Sequence, residues 1–160
     1  MKWPQAVPLA QAVLPRLDSA GDHRGVVRVV IPYTDPVTTQ AALSAAGTLT
    51  RGLNASISLV AVQVLPFPAP FYCPSSIAEH LEVRLTELAA GCPNPVEATV
   101  VLARDTDEGY RHVMSPGATV LIATRKRWWR TREEKLARAL TRAGHKVAVV
   151  ELDSSGVPHD

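Results

Sequence analysis

The hydrophobic pattern of this chain is a series of short apolar runs separated by stretches with helical spacing. Val26-Val27-Arg28-Val29-Val30-Ile31 is rich in β-branched residues and almost unbroken, as expected of a parallel strand covered on both faces. Similar runs occur at Ile57 to Leu65, Val96 to Leu102, Ala118 to Ala123 and Lys146 to Leu152. Between the first two, Asp35 can cap a helix whose first position is Pro36 and which Gly52 closes. Ala41, Ala42, Ala45 and Ala46 let that helix sit close to a sheet. Ser76-Ile77-Ala78-Glu79 and Thr131-Arg132-Glu133-Glu134 have the capping-box form. They open stripes at Ile77, Leu81, Leu85 and Leu88, and at Leu136, Ala139, Leu140 and Ala143, which end at Gly91 and Gly144. Asp105 to Met114 is a shorter helical candidate ended by Pro116-Gly117, and Pro66, Pro68 and Pro70 turn the end of the second strand into an extended connection.

The order is β-α-β-α-β-α-β-α-β, with connections long enough for helical crossovers. It predicts one layered α/β domain with a parallel, helix-covered sheet over residues 25–152. Residues 1–24 read as an N-terminal arm, in which Pro8, Gln11 and Pro15 break any continuous apolar stretch, and 153–160 as a disordered tail. No apolar run approaches the roughly 18 residues of a membrane span. Cys73 and Cys92 flank a predicted helix of about fourteen residues, which holds its ends about 20 Å apart. A disulfide needs Cα atoms within about 7 Å, so both thiols are expected unpaired, which points to a cytoplasmic setting. Cys73 precedes a helix start, where the dipole favours a thiolate, although an inert thiol also fits that position.

Charge changes this picture at one place. The 160-residue chain carries +2 overall. Thr124-Arg125-Lys126-Arg127-Trp128-Trp129-Arg130-Thr131-Arg132 holds five cations and two indoles, so +2 for the whole and +5 for this segment leave −3 elsewhere. The protein is therefore not basic, but the loop after its fourth strand is. Arginines that bond phosphate in pairs, beside flat indole faces, suit a polyanion or nucleic acid. The same residues also suit a structural role, with Arg130 and Arg132 pairing with Glu133 and Glu134 and the indoles covering a sheet edge or a second protomer, or a contact with an unknown protein partner or an acidic membrane surface, for which Trp with Arg is also apt.

In element order, in Val30-Ile31-Pro32 through Gln40-Ala41-Ala42-Leu43-Ser44-Ala45-Ala46, and in Gly117-Ala118-Thr119-Val120-Leu121-Ile122, the chain resembles the universal stress protein family over Val26 to Leu152. The resemblance implies a five-stranded parallel sheet in the order 3-2-1-4-5 with helices on both faces. It places the loop after the fourth strand beside the switch point between strands 1 and 4. It also implies a homodimer through the last strand, with Val147, Val149, Val150 and Leu152 as interface candidates. ATP-binding members end the first strand with an Asp that reads adenine, and the matching position here is Thr34. Their phosphate loop, Gly-x-x-Gly followed by Gly-Ser/Thr, is matched by Thr124, Arg127 and Glu133-Glu134. Glycine is needed there because a side chain blocks close backbone approach. Two carboxylates at the helix start would repel a triphosphate and already satisfy the dipole. ATP binding by the family's usual mode is thus not expected.

The expected function is a non-catalytic stress-related or regulatory binding module of universal-stress-protein type. The alternative is a polyanion or nucleic-acid binder using the Arg/Trp loop. Ligand or partner candidates are Thr34, Asp35, Thr124, Arg125, Lys126, Arg127, Trp128, Trp129 and Arg130. Asp105-Thr106-Asp107-Glu108-Gly109 lacks the alternating ligands of a calcium loop and reads as a solvated helix start. The five histidines are scattered, and no Gly-x-Ser-x-Gly elbow supports a nucleophile near His112. No metal, cofactor or catalytic residue is assigned.

Overall fold

The computed structural model describes residues 26–68, 76–125 and 131–152, and strand and helix alternate through them. The elements are β1 (Val27–Pro32), α1 (Pro36–Leu49), β2 (Ala55–Val64), α2 (Ser76–Ala90), β3 (Val96–Ala103), α3 (Thr106–Val113), β4 (Thr119–Arg125), α4 (Arg132–Arg142) and β5 (Lys146–Leu152). All five strands form one parallel sheet in the order β3-β2-β1-β4-β5. The architecture is the expected three-layer α/β fold. The proposed arm, tail and Cys73 lie outside the described residues, as do Lys126, Arg127, Trp128, Trp129 and Arg130.

The chain winds outward from β1 to β3, then returns past β1 to β4 and β5. Right-handed crossovers in opposite directions place their helices on opposite faces. The cores divide accordingly. Val29, Ile31, Ile57, Leu59, Leu121 and Ala123 join Ala41, Ala42, Leu43 and Ala46 of α1 and Leu85 of α2 on one face. Val30, Val60, Val101, Val120 and Ile122 join Tyr110 of α3 and Ala137 and Leu140 of α4 on the other. Because both faces are covered, the strands carry near-continuous apolar runs rather than an alternating pattern.

Local chemistry sets the helix ends. Asp35 caps α1, with Pro36 in its first turn. Asp105 caps α3 by accepting the Glu108 N–H at 2.8 Å. Thr131 caps α4 by accepting the Glu134 N–H at 3.2 Å. Gly144 follows at φ +92°, a conformation that suits the end of a helix and that L side chains rarely adopt.

Two sequence expectations, both on helix stripes, are corrected. Ile77, in the first turn of α2, is 63% exposed although it stands only about 40° around the helix from Leu81; the buried positions of α2 are Ala78 and Leu85, with Leu81 and Leu88 partly buried. Ala143 is exposed because α4 ends at Arg142; Ala137 and Leu140 are its buried positions. Leu152, an interface candidate by the resemblance, is fully buried in the core cluster on the α1 face. Its side chain therefore serves the chain's own core.

One close approach escaped the sequence reading. A Cβ on Gly109 would overlap Val62 Cγ1 and lie 2.9 Å from Val62 Cγ2 and 3.2 Å from Ala103 Cβ. The missing side chain lets α3 lie against β2 and β3, which brings Thr106, Asp107 and Tyr110 over the carboxyl end of the sheet.

Candidate ligand-binding cleft

In a doubly wound sheet, ligands bind outside the carboxyl ends of the strands, where the winding direction reverses. Here that point lies between β1 and β4, and the residues following β1 form a closed local network. The Val37 and Thr38 N–H groups donate to Asp35 Oδ1 at 2.9 and 3.1 Å, and Thr38 Oγ1 donates to Asp35 Oδ2 at 2.6 Å. Thr34 Oγ1 lies 2.9 Å from Thr38 Oγ1, and the Thr34 N–H donates to Thr39 Oγ1 at 3.3 Å. Arg125, at the end of β4, reaches Asp35 Oδ1 at 3.9 Å. Thr124 Oγ1 lies 3.1 Å from the hydroxyl of the α4 cap, Thr131.

Burial opposes ionisation of Asp35, but the bonds from Thr38 and Val37, with the Arg125 charge, outweigh it and hold the carboxyl below its ordinary value. A depressed pKa contributes stability above the unfolded value of about 3.9, and that stability is lost as pH falls through the folded value. Asp35→Ala is expected to cost about 1 kcal/mol near neutral pH in urea denaturation, as for other lost caps, with the difference from wild type shrinking below about pH 4. Arg125→Ala should cost less, since the ion pair is long and both side chains are about 40% exposed. A deficit in Asp35→Ala that persisted unchanged into acid would show that the carboxylate is not the stabilising group.

The sequence-predicted residues thus divide between the two faces of the sheet. Asp35 and Arg125 lie on the α1 side. Thr34 faces a different feature, a cleft of about 280 Å³ between α3 and α4 over the ends of β1 and β2. Tyr33 and Thr34 line it from the segment after β1, and Val62 from β2. Thr106, Asp107 and Tyr110 come from α3, and Arg132, Lys135, Leu136 and Ala139 from α4. Tyr110 is 3% exposed, and Asp107, Arg132 and Lys135 are exposed. The cleft therefore has an apolar floor and a charged mouth.

Electrostatics links its walls. Burial pushes the Tyr33 hydroxyl up, the Arg84 charge pulls it down, Asp35 raises it and Arg132 lowers it. Burial likewise pushes Tyr110 far above the usual phenol range, against a smaller opposing pull from Arg132. Both phenols stay protonated near neutral pH; Tyr33 borders the cleft while its ring packs against the core on the α1 face. Arg132 acts on both.

Sequence reasoning missed Arg132, Lys135, Tyr33, Thr106, Asp107 and Tyr110 as cleft residues. The available signal was the period of α4. Residues 132, 135, 136 and 139 stand at i, i+3, i+4 and i+7, so the two cations continue the line of Leu136 and Ala139.

Of the interface candidates, Val149 is 47% exposed, Val147 and Val150 are half-buried and Leu152 is buried. They stand on β5, whose outer edge pairs with no other described strand. Burial pushes the Cys92 thiol up, and its Sγ donates to Leu88 O at 3.7 Å. Among the described residues, no group of three or more His, Cys, Asp or Glu side chains is arranged to hold a metal, and no helix is long and apolar enough to cross a membrane. Comparison with protein-family models finds no family that matches this chain, and comparison with curated proteins finds no match.

Proposed function

We propose that this chain is a non-catalytic binding module of universal-stress-protein type, stress-related or regulatory, that takes a small ligand in the α3/α4 cleft and does not bind ATP. The observation that carries this reading is the start of α4. Thr131 already accepts the Glu134 N–H and shares a hydrogen bond with Thr124, and Glu133 and Glu134 occupy the first turn. A triphosphate would meet a capped helix and two carboxylates where it needs free amides. After β1, the Thr34 hydroxyl is likewise engaged with Thr38. A small group held in the cleft between α3 and α4 needs no free amide at the start of α4.

Self-association through the free edge of β5 and a cytoplasmic setting belong to the same proposal. Unpaired backbone groups on an outer strand favour pairing with a second copy. The polyanion alternative receives less support from the described part of this edge. There Arg125, Arg132 and Lys135 stand with Asp35, Asp107, Glu133 and Glu134, so carboxylates offset the cations.

Native mass spectrometry of the purified protein, with and without magnesium-ATP, tests the proposal. The expected spectrum is a dimer with no nucleotide adduct. A saturable ATP adduct would overturn the non-ATP reading, and a monomer at all concentrations would remove self-association. Co-purified nucleic acid that dissociates as salt rises would favour the polyanion alternative, because counterion release makes such binding steeply salt-dependent.

A further inference from the structure

We infer that the α3/α4 cleft selects a small organic acid of single negative charge with a compact apolar body. This rests on the reading of the cleft as the ligand site and adds the class of ligand. Arg132 and Lys135 supply two positive charges at the mouth and Asp107 one negative charge, giving the lining a net charge of +1. Neither cation is ion-paired among the described residues, so both can meet a carboxylate. Arg132 offers it a planar fork of donors, and Lys135 stands one helical turn further along the same face.

Below these cations, Val62, Leu136 and Ala139 surround the buried Tyr110 ring. Such a floor rewards an apolar body and penalises a hydrated one. Size narrows the class further. At about 280 Å³ the cleft lies just below the range of about 300–1,000 Å³ that serves drug-sized ligands, so a compact acid fits. A ligand carrying several phosphates would place surplus charge beside Asp107, Glu133 and Glu134.

The test uses phenylacetate as probe and its neutral amide, phenylacetamide, as control, read by amide chemical-shift perturbation of the full chain. Phenylacetate is expected to shift Thr34, Thr106, Tyr110 and Ala139 saturably, and the neutral amide to bind about tenfold more weakly. Arg132→Gln with Lys135→Gln should weaken the acid by about tenfold while leaving the amide unchanged. Asp107→Asn should tighten the acid a few-fold, a gain that a damaged fold would not produce. Equal binding of acid and amide at those residues would overturn the charge selection while leaving the cleft as a ligand site. If phenylacetate moves none of them but phenylacetamide does, the ligand class also fails and the cleft stands. If neither compound moves them, the cleft reading fails as well.

Discussion

Leu152→Ala is expected to lower the free energy of unfolding by about 2–5 kcal/mol, the range for truncating a buried leucine. Leu152 is fully buried and shares a cluster with Leu121 and Ala123 of β4 and Ala42 and Ala46 of α1. Its loss would open a cavity beneath the last strand. Urea denaturation at protein concentrations spanning a hundredfold separates core from interface, because a contact between protomers stabilises in a concentration-dependent way and a core contact does not. The Leu152→Ala deficit should be the same at every concentration. Val149→Ala provides the comparison: Val149 is 47% exposed on the same strand, so its effect on a monomer should stay within about 0.5 kcal/mol. If Val149 meets a second copy through β5, its effect will instead grow with concentration. A Leu152→Ala deficit that vanished on dilution would return that residue to the interface.

Gly109→Ala is expected to destabilise by up to about 2 kcal/mol, the opposite sign from helix propensity. Inside α3, alanine should be better than glycine by about 1 kcal/mol. The added methyl, however, overlaps Val62 Cγ1, while a well-packed interior charges about 1–3 kcal/mol for such overpacking. Packing outweighs propensity because the methyl would meet both Cγ atoms of Val62, a short β-branched side chain opposite Val101 of β3, and Ala103 Cβ as well. Pairing the substitution with Val62→Ala isolates the cause. Gly109→Ala should cost much less in that background, giving a coupling energy of at least about 1 kcal/mol. Stabilisation by Gly109→Ala in the presence of Val62 would contradict the close approach of α3 to the sheet.

The elements were readable because both sheet faces are covered. Each strand could then appear as a β-branched run, and the starts of α1, α3 and α4 carried a capping residue. Asp35, Asp105 and Thr131 all cap as their positions imply. Sheet order was not visible in these patterns; the expectation of 3-2-1-4-5 came from the family resemblance. Ile77 misled because helical spacing groups it with Leu81 and Leu88, while spacing alone does not say whether the first turn of α2 is covered. Gly109 could be recognised as a glycine within a helical stretch, but Val62, which makes it necessary, is 47 positions away.

The candidate site was legible only in part. The sequence drew attention to the cationic segment after β4, and its central residues, Lys126 to Arg130, lie outside the described residues. Thr34 lines the cleft, whereas Asp35 is engaged in capping α1 and pairing with Arg125. Arg132 and Lys135 looked like ordinary solvated charges on an amphipathic helix. Only the placement of α4 beside α3 turns them toward Tyr33 and Tyr110.

The sequence by itself determined the alternation of strand and helix, the helix caps and the absence of phosphate-loop glycines, because all three depend on nearby residues. Tertiary structure decided which faces are buried, that Leu152 belongs to the core, and that residues from β1, β2, α3 and α4 meet in one cleft. These outcomes depend on contacts between distant segments, and the direction in which the chain winds across its sheet fixes them.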